Sequence, residues 1–193
     1  MLAAVGGHLV DEAPDLVRLA RALSELRIAP PISDAALKIV MRDVIRRNDL
    51  RDGIVYLQIA HGIAPHDHAF PRSVNPVLVV MSPSKKRVDP RIADGGVAVT
   101  AIPDIRWQRC DIKSVALLPD VFGKQLAKEA GAYEALQDEA RAASEAFLTS
   151  PITDLLPVIR VGGDPVGIGA PGPLSRRSCD CYLVHAAAAE GPP

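Results

Sequence analysis

The sequence predicts an α+β fold, because helical and strand-like segments intermingle without the regular alternation of a parallel doubly wound sheet and no internal repeat relates them. A chain of 193 residues can bury a sizeable core. Its 48% hydrophobic and 23% charged residues suit a globular protein. With 22 basic and 23 acidic residues the net charge is −1, so nothing in the balance recruits nucleic acid or an anionic membrane. No segment reaches the length of a bilayer span, and MLAAVGGHLVDEAPD carries no basic leader. The three cysteines, Cys110, Cys179 and Cys181, give no disulfide framework. These features together read as a cytosolic protein.

From Pro14 to Ile28, Leu16, Leu19, Leu23 and Leu26 recur at steps of three and four and predict a helix whose Arg18, Arg21 and Glu25 project elsewhere. After PPIS, Ser33 is placed to cap a second helix with Leu37, Val40, Met41, Val44 and Ile45 as its apolar stripe. GIVYLQIAHG (53–62), PVLVVM (76–81) and GVAVTAIP (96–103) are short β-rich runs bounded by Gly and Pro and predict strands. SPSKKRVDPRIADGG, between the last two, is either a hairpin loop or a tether between lobes. Helical spacing returns from Pro119 to Gly131 on Val121, Phe122, Leu126 and Ala130, and resumes in DEARAASEAF (138–147). FLTSPITDLLPVIRV reads as a strand interrupted by a turn, followed by the Gly/Pro-rich GGDPVGIGAPGP and a final helical segment.

Three places carry chemistry. Lys113 sits in RWQRCDIKSVALLP with Ile112 before it and Val115 to Leu118 after it. Such a lysine either snorkels its ammonium to water or is buried, which disfavours the charged form and leaves an amine able to attack a carbonyl. In AHGIAPHDHAFP, His61, His66, His68 and Asp67 could ligate a metal, but no further ligand follows at a familiar spacing, and imidazoles that donate to a substrate carboxylate are the more economical reading. TSPITD offers hydroxyls on Thr149, Ser150 and Thr153 that either hold a phosphate or satisfy local backbone. GGDPVGIGAPG lacks the ending of a phosphate-binding loop, and CDC lacks the second ligand pair of a metal site.

RDGIVYLQIAHGIAPHDHAFP, GVAVTAIPDIRWQRCDIKSVALLPDVFGKQLAKEAGAYEAL and EAFLTSPITDLLPVIRVGGDPVGIGAPGP together resemble the D-amino-acid aminotransferases of the class IV, pyridoxal-phosphate-dependent family, over nearly the whole chain. The resemblance implies a two-lobed fold-type IV architecture: an N-terminal α/β lobe over residues 1–90 and a truncated, pseudo-barrel cofactor-binding lobe over residues 91–193. It implies pyridoxal 5'-phosphate as cofactor, held as a Schiff base on Lys113, with Arg18 in DLVRL and Ser150 on the phosphate. The family's Arg-x-His pair for the substrate carboxylate, donated across a homodimer interface, reads here as His66-Asp67-His68, so His66 stands in place of a two-pronged guanidinium. The implied reaction is transamination between a D-alanine-like amino acid and a 2-oxoglutarate-like oxo acid. Branched-chain L-aminotransferases and aminodeoxychorismate lyases share the lysine and are the alternatives within the fold.

The chain also departs from the family pattern. It begins just after the family's first strand and site tyrosine, and the internal stretch carrying the glutamate for the pyridine nitrogen and a phosphate-binding turn has no counterpart after Leu136. Pro151 stands where the family has a phosphate-binding threonine. A catalytically impaired remnant that acts by association is therefore the alternative of a different class.

Overall fold

Two kinds of sequence pattern, leucine stripes at helical spacing and short β-branched runs, build two units in the computed structural model, which describes residues 1–71, 74–83, 88–137, 143–151 and 153–188. One unit comprises Met1–Lys86, Asp111–Lys113 and Ala186–Pro193, and the other Arg87–Cys110 and Ser114–His185. The three residues around Ile112 thus belong with the first unit while the chain on both sides of them belongs with the second.

In the first unit, β1 (Leu2–Val5) turns back into β2 (His8–Leu9) and is followed by α1 (Glu12–Glu25), α2 (Asp34–Arg47), β3 (Gly53–Ala60) and β4 (Val77–Met81). The strands form an antiparallel sheet in the order β2-β1-β3-β4. Leu16 of α1, and Leu37, Met41 and Ile45 of α2, pack with Leu2, Ala4, Leu50 and Val55 into one core. Ser33 caps α2 as its sequence position predicts, its Oγ accepting from the Ala36 N–H at 3.3 Å. On β4 the strand period of two is visible directly: Leu78 and Val80 pack against the core, whereas Val77, Val79 and Met81 are exposed.

The second unit runs α3 (Pro90–Gly95), β5 (Val97–Ile102), α4 (Leu118–Glu129), β6 (Glu134–Gln137), β7 (Ala146–Ser150), β8 (Asp154–Val161), β9 (Asp164–Pro165) and α5 (Pro173–Ala188). Its sheet has the order β6-β5-β8-β7, with β9 paired to β8. The β5 strand is parallel to both β6 and β8, and α4 supplies the crossover that a parallel β5–β6 pair requires. Val97, Val99, Leu156, Val158, Val161 and Val166 form its core. Thus FLTSPITDLLPVIRV is an antiparallel hairpin, with Ser150 paired to Asp154.

Two hairpins use the same device. Val5-Gly6-Gly7-His8 and Val161-Gly162-Gly163-Asp164 each turn on two glycines, with φ of 59° and 89° in the first and 59° and 92° in the second. Positive φ at both central positions matches the right-handed twist of the flanking strands, and glycine adopts it at least steric cost.

The structure revises two expectations. Ala146–Ser150 is a strand, so the helical reading of DEARAASEAF fails at its C-terminal end, while residues 138–142 lie outside the described residues. SPSKKRVDPRIADGG contains α3, with residues 84–87 outside the described set. The N-terminal stretch, which carries no periodic signal, forms the β1–β2 hairpin.

The start of α5 is held by a carboxylate from elsewhere in the same unit. Glu145 accepts from the Leu174 N–H at 3.0 Å, the Ser175 N–H at 2.8 Å and the Ser175 hydroxyl at 2.8 Å, and Ser175 is only 1% exposed. These bonds satisfy backbone donors that a helix leaves unpaired at its first turn. The Ser175 N–H contributes most to holding the Glu145 carboxyl below its ordinary value of 4.5.

Two stability outcomes are expected. Met41 is fully buried at the centre of the first core, so Met41→Ala should destabilise by about 2–4 kcal/mol in urea unfolding. Met41→Leu, which keeps the volume, should cost less than about 1.5 kcal/mol. Because the Glu145 carboxyl has a lower pKa folded than unfolded, its contribution is present above the ordinary glutamate range and disappears as pH falls through the folded value. Glu145→Gln should therefore lower the urea midpoint at neutral pH, and the gap from wild type should close as the medium is acidified.

Candidate functional site

The segment 103–117, between β5 and α4, carries no helix or strand, so side chains must fix its path. Near its start, Asp104 receives the Arg106 backbone N–H at 2.9 Å and the Arg106 guanidinium at 3.0 and 2.7 Å. The guanidinium holds the Asp104 carboxyl down at about 2. Further on, the Cys110 thiol donates to the Trp107 carbonyl at 2.9 Å.

The chain then enters the first unit for three residues. Ile112 is buried, at 5% exposure, between the exposed Asp111 and Lys113. Arg21 of α1 makes two contacts with Asp111: one N–H donates to its backbone carbonyl at 3.2 Å and another to its carboxylate at 2.5 Å.

Lys113 is therefore not the buried strand lysine that one sequence reading expects; its side chain is exposed. The apolar run after it does not form a packed strand. Val115 and Leu117 stay exposed, and α4 begins at Leu118 with Pro119 in its first turn. The stripe on α4 behaves likewise, with Leu118 at 69% and Phe122 at 58% exposure.

Arg18 lies one helical turn before Arg21, so the two guanidinium stems share a face of α1. Arg18 is exposed and ion-paired with Asp15. The Met1 amino group shows that Arg18 and Lys113 occupy one neighbourhood: burial first and the Lys113 charge second hold it below its ordinary value of 8.0, Asp15 opposes, and Arg18 adds to the depression. An amine and a guanidinium thus converge near the start of β1.

His66 and His68 lie in the loop after β3, both exposed, with ring centroids 6.0 Å apart in an edge-on arrangement. Asp67 fixes the turn between them by accepting from the His68 N–H at 2.6 Å and the Ala69 N–H at 3.4 Å. Among the described residues, no group of three His, Cys, Asp or Glu is placed to hold a metal.

Ser150 belongs to the second unit, at the end of β7. Its Oγ lies 2.8 Å from the Thr153 hydroxyl and accepts from the Thr153 N–H at 3.0 Å, the local backbone role that the sequence leaves open beside phosphate binding. That unit also has an open cleft of about 640 Å³ lined by Arg106, Asp120, Lys124 and Glu134 together with Ile102 and Leu117. Lys124 is bonded across it to Glu134 at 2.9 Å and to the Tyr133 carbonyl at 2.6 Å.

The structure thus brings Lys113 and Arg18 into one region and sets His66 beside His68. The contact that sequence reasoning misses is Arg21 on Asp111. Its only trace in the sequence is an arginine three residues after Arg18 and an aspartate two residues before Lys113.

The profile of the family described as amino-transferase class IV matches residues 2–146. D-alanine aminotransferase of Bacillus licheniformis is 28% identical over 219 aligned positions, taking in 83% of this chain and 77% of that enzyme. The aligned length exceeds this chain's own 193 residues, so the relative carries an internal stretch with no counterpart here. D-alanine aminotransferase of Staphylococcus haemolyticus is 32% identical over 143 positions, covering 74% of this chain and about half, 50%, of that enzyme. Among solved structures, branched-chain amino acid aminotransferase of Escherichia coli superposes with a TM-score of 0.80 at 14% identity, over 94% of this chain and 82% of that one. A Legionella pneumophila protein named as a 4-amino-4-deoxychorismate lyase gives 0.82 at 13% identity, over 95% and 89%. These likenesses establish a fold-type IV architecture. The matched span includes Arg18, the histidine pair and Lys113, and the chain belongs to the class IV aminotransferase family.

Proposed function

We propose that this chain is a pyridoxal 5'-phosphate-dependent transaminase acting on a D-amino acid of the D-alanine type and a 2-oxo acid of the 2-oxoglutarate type, with Lys113 as the amine that carries the cofactor. The observation that carries this reading is the position of Lys113, in RCDIKS, inside the span that the family model matches. The donor set suits a phosphorylated aldehyde: Lys113 offers an accessible primary amine, and Arg18 offers a guanidinium on the same unit, in the same electrostatic neighbourhood.

When bound, pyridoxal phosphate supplies an electron sink that stabilises negative charge at the substrate Cα. Lys113 would hold the group through its amine and, when free, would be the base that takes the substrate Cα proton and the acid that delivers it to C4′ of the cofactor. Arg18 pairs with the phosphate after releasing Asp15. The Ser150 hydroxyl, which accepts from the Thr153 N–H, would donate its own hydrogen to the phosphate. His66 and His68 donate N–H groups to the substrate carboxylate, a weaker grip than a guanidinium gives. The family resemblance further suggests a homodimer.

A second reading, a non-catalytic remnant acting by association, is favoured by the exposure of Lys113 and by the internal stretch of the relatives that this chain lacks. Branched-chain L-amino acids and aminodeoxychorismate are the alternative substrates within the fold.

Cofactor binding separates the readings. Purified protein mixed with pyridoxal phosphate should gain an absorption band near the visible edge that borohydride bleaches and that Lys113→Ala abolishes; an unchanged spectrum leaves the remnant. In the active enzyme, replacing His66 and His68 together by alanine should raise KM for D-alanine and leave cofactor absorbance intact. Equal kinetics in that double variant would remove the histidines from substrate binding.

A further inference from the structure

We infer that Arg21 is a positioning residue for Lys113, acting through Asp111; the inference rests on the reading of Lys113 as the cofactor-bearing amine. Three observations carry it. The Asp111–Lys113 stretch is the part of the irregular segment that joins the first unit. Buried Ile112 fixes it by apolar contact, and Arg21 fixes the residue on the other side of Ile112 from Lys113.

The Arg21 contact has a geometry suited to orientation. One N–H reaches the Asp111 backbone carbonyl at 3.2 Å while another reaches its carboxylate at 2.5 Å, so the fork fixes the main chain and the side chain of the same residue. With the 111 carbonyl held and the Ile112 side chain buried, the direction in which Lys113 leaves the backbone has little freedom. An arginine is needed for this, because a lysine ammonium lacks the planar fork.

Energetics assign the two anchors different jobs. The Arg21 and Asp111 side chains are 53% and 37% exposed, and ion pairs so open to water contribute little to stability. Ile112 is the apolar side chain that the segment buries. Arg21 supplies its orientation, so removing Arg21 should leave the protein folded and release the aim of the lysine.

The test uses the full chain and pyridoxal 5'-phosphate at limiting concentration, trapped with borohydride and mapped by peptide mass spectrometry. Its readout is the ratio of label on Lys113 to label on the chain's other lysines. Wild type should label Lys113 preferentially. Arg21→Ala and Asp111→Asn should each lower that preference about tenfold, the scale that small misplacements of a reacting group produce, with urea midpoints close to wild type. Arg21→Lys should recover only part of it, and the exchange Arg21→Asp with Asp111→Arg should recover more than either single charge change. Wild-type preference in both Arg21→Ala and Asp111→Asn would overturn the positioning role while leaving the reading of Lys113 intact. Absence of any preference for Lys113 in the wild type would overturn that reading and this role with it.

Discussion

Ile112 is the side chain on which the geometry around Lys113 depends. It is buried while Asp111 and Lys113 on either side are exposed, and the fifteen-residue stretch from 103 to 117 has no ladder or helical hydrogen bonds of its own to define its course. An apolar anchor of this kind resists translation, because withdrawing it returns its whole surface to water. It does not resist rotation, because hydrophobic contact is non-directional. Direction must come from hydrogen bonds, and here they come from α1, whose Arg21 reaches the residue before the anchor. A helix is a sound place from which to aim a loop, since its backbone is already fixed by the packing of Leu16 and Leu23.

The parts of the fold legible in the sequence were those whose periodicity matched their burial. Leu37, Met41 and Ile45 recur at steps of four and bury together, and the three β-rich runs from 53 to 103 became β3, β4 and β5. Legibility failed where local chemistry replaced periodicity. The strands β1 and β2 are too short to show alternation, and their signal was the glycine pair between them, which recurs as Gly162-Gly163 between β8 and β9. That second pair opens a Gly-rich stretch without a phosphate-binding ending, and its positive φ angles serve a tight hairpin. Ala146 and Phe147 fell at the end of an alanine- and glutamate-rich window whose helix propensity was overridden by pairing with β8.

Apolar residues around Lys113 suggested burial because sequence patterning assumes that every apolar run has something to pack against. Val115, Leu117, Leu118, Val121, Phe122 and Leu126 break that assumption together, since all are exposed. They lie along the end of the loop and one side of α4, in the second unit. The apolar stripe is thus present in the sequence, while the layer that would cover it is not supplied by the described residues of this chain. Arg18 is legible only through family resemblance, because an exposed arginine on a helix has no periodic signature, whereas the clustered histidines stand out by residue type.

Arg18 raises the question of whether a guanidinium already paired with a carboxylate can serve a phosphate. The Asp15 partner lies on the same helix three residues earlier, and the pair is open to water, with the arginine side chain 49% exposed. Helix-surface pairs of this spacing contribute only about 0.3–0.5 kcal/mol, so releasing Asp15 costs little. A phosphate monoester brings more charge and more acceptor oxygens than a carboxylate and accepts a bidentate arginine bond at least as well. Glu12 and Asp15, both in the first turn of α1, oppose an anion at the helix N-terminus itself. In the proposed enzyme the acidic first turn of α1 would leave Arg18 and Arg21, further along the helix, as the place for the cofactor phosphate, on the face that holds the segment bearing Lys113.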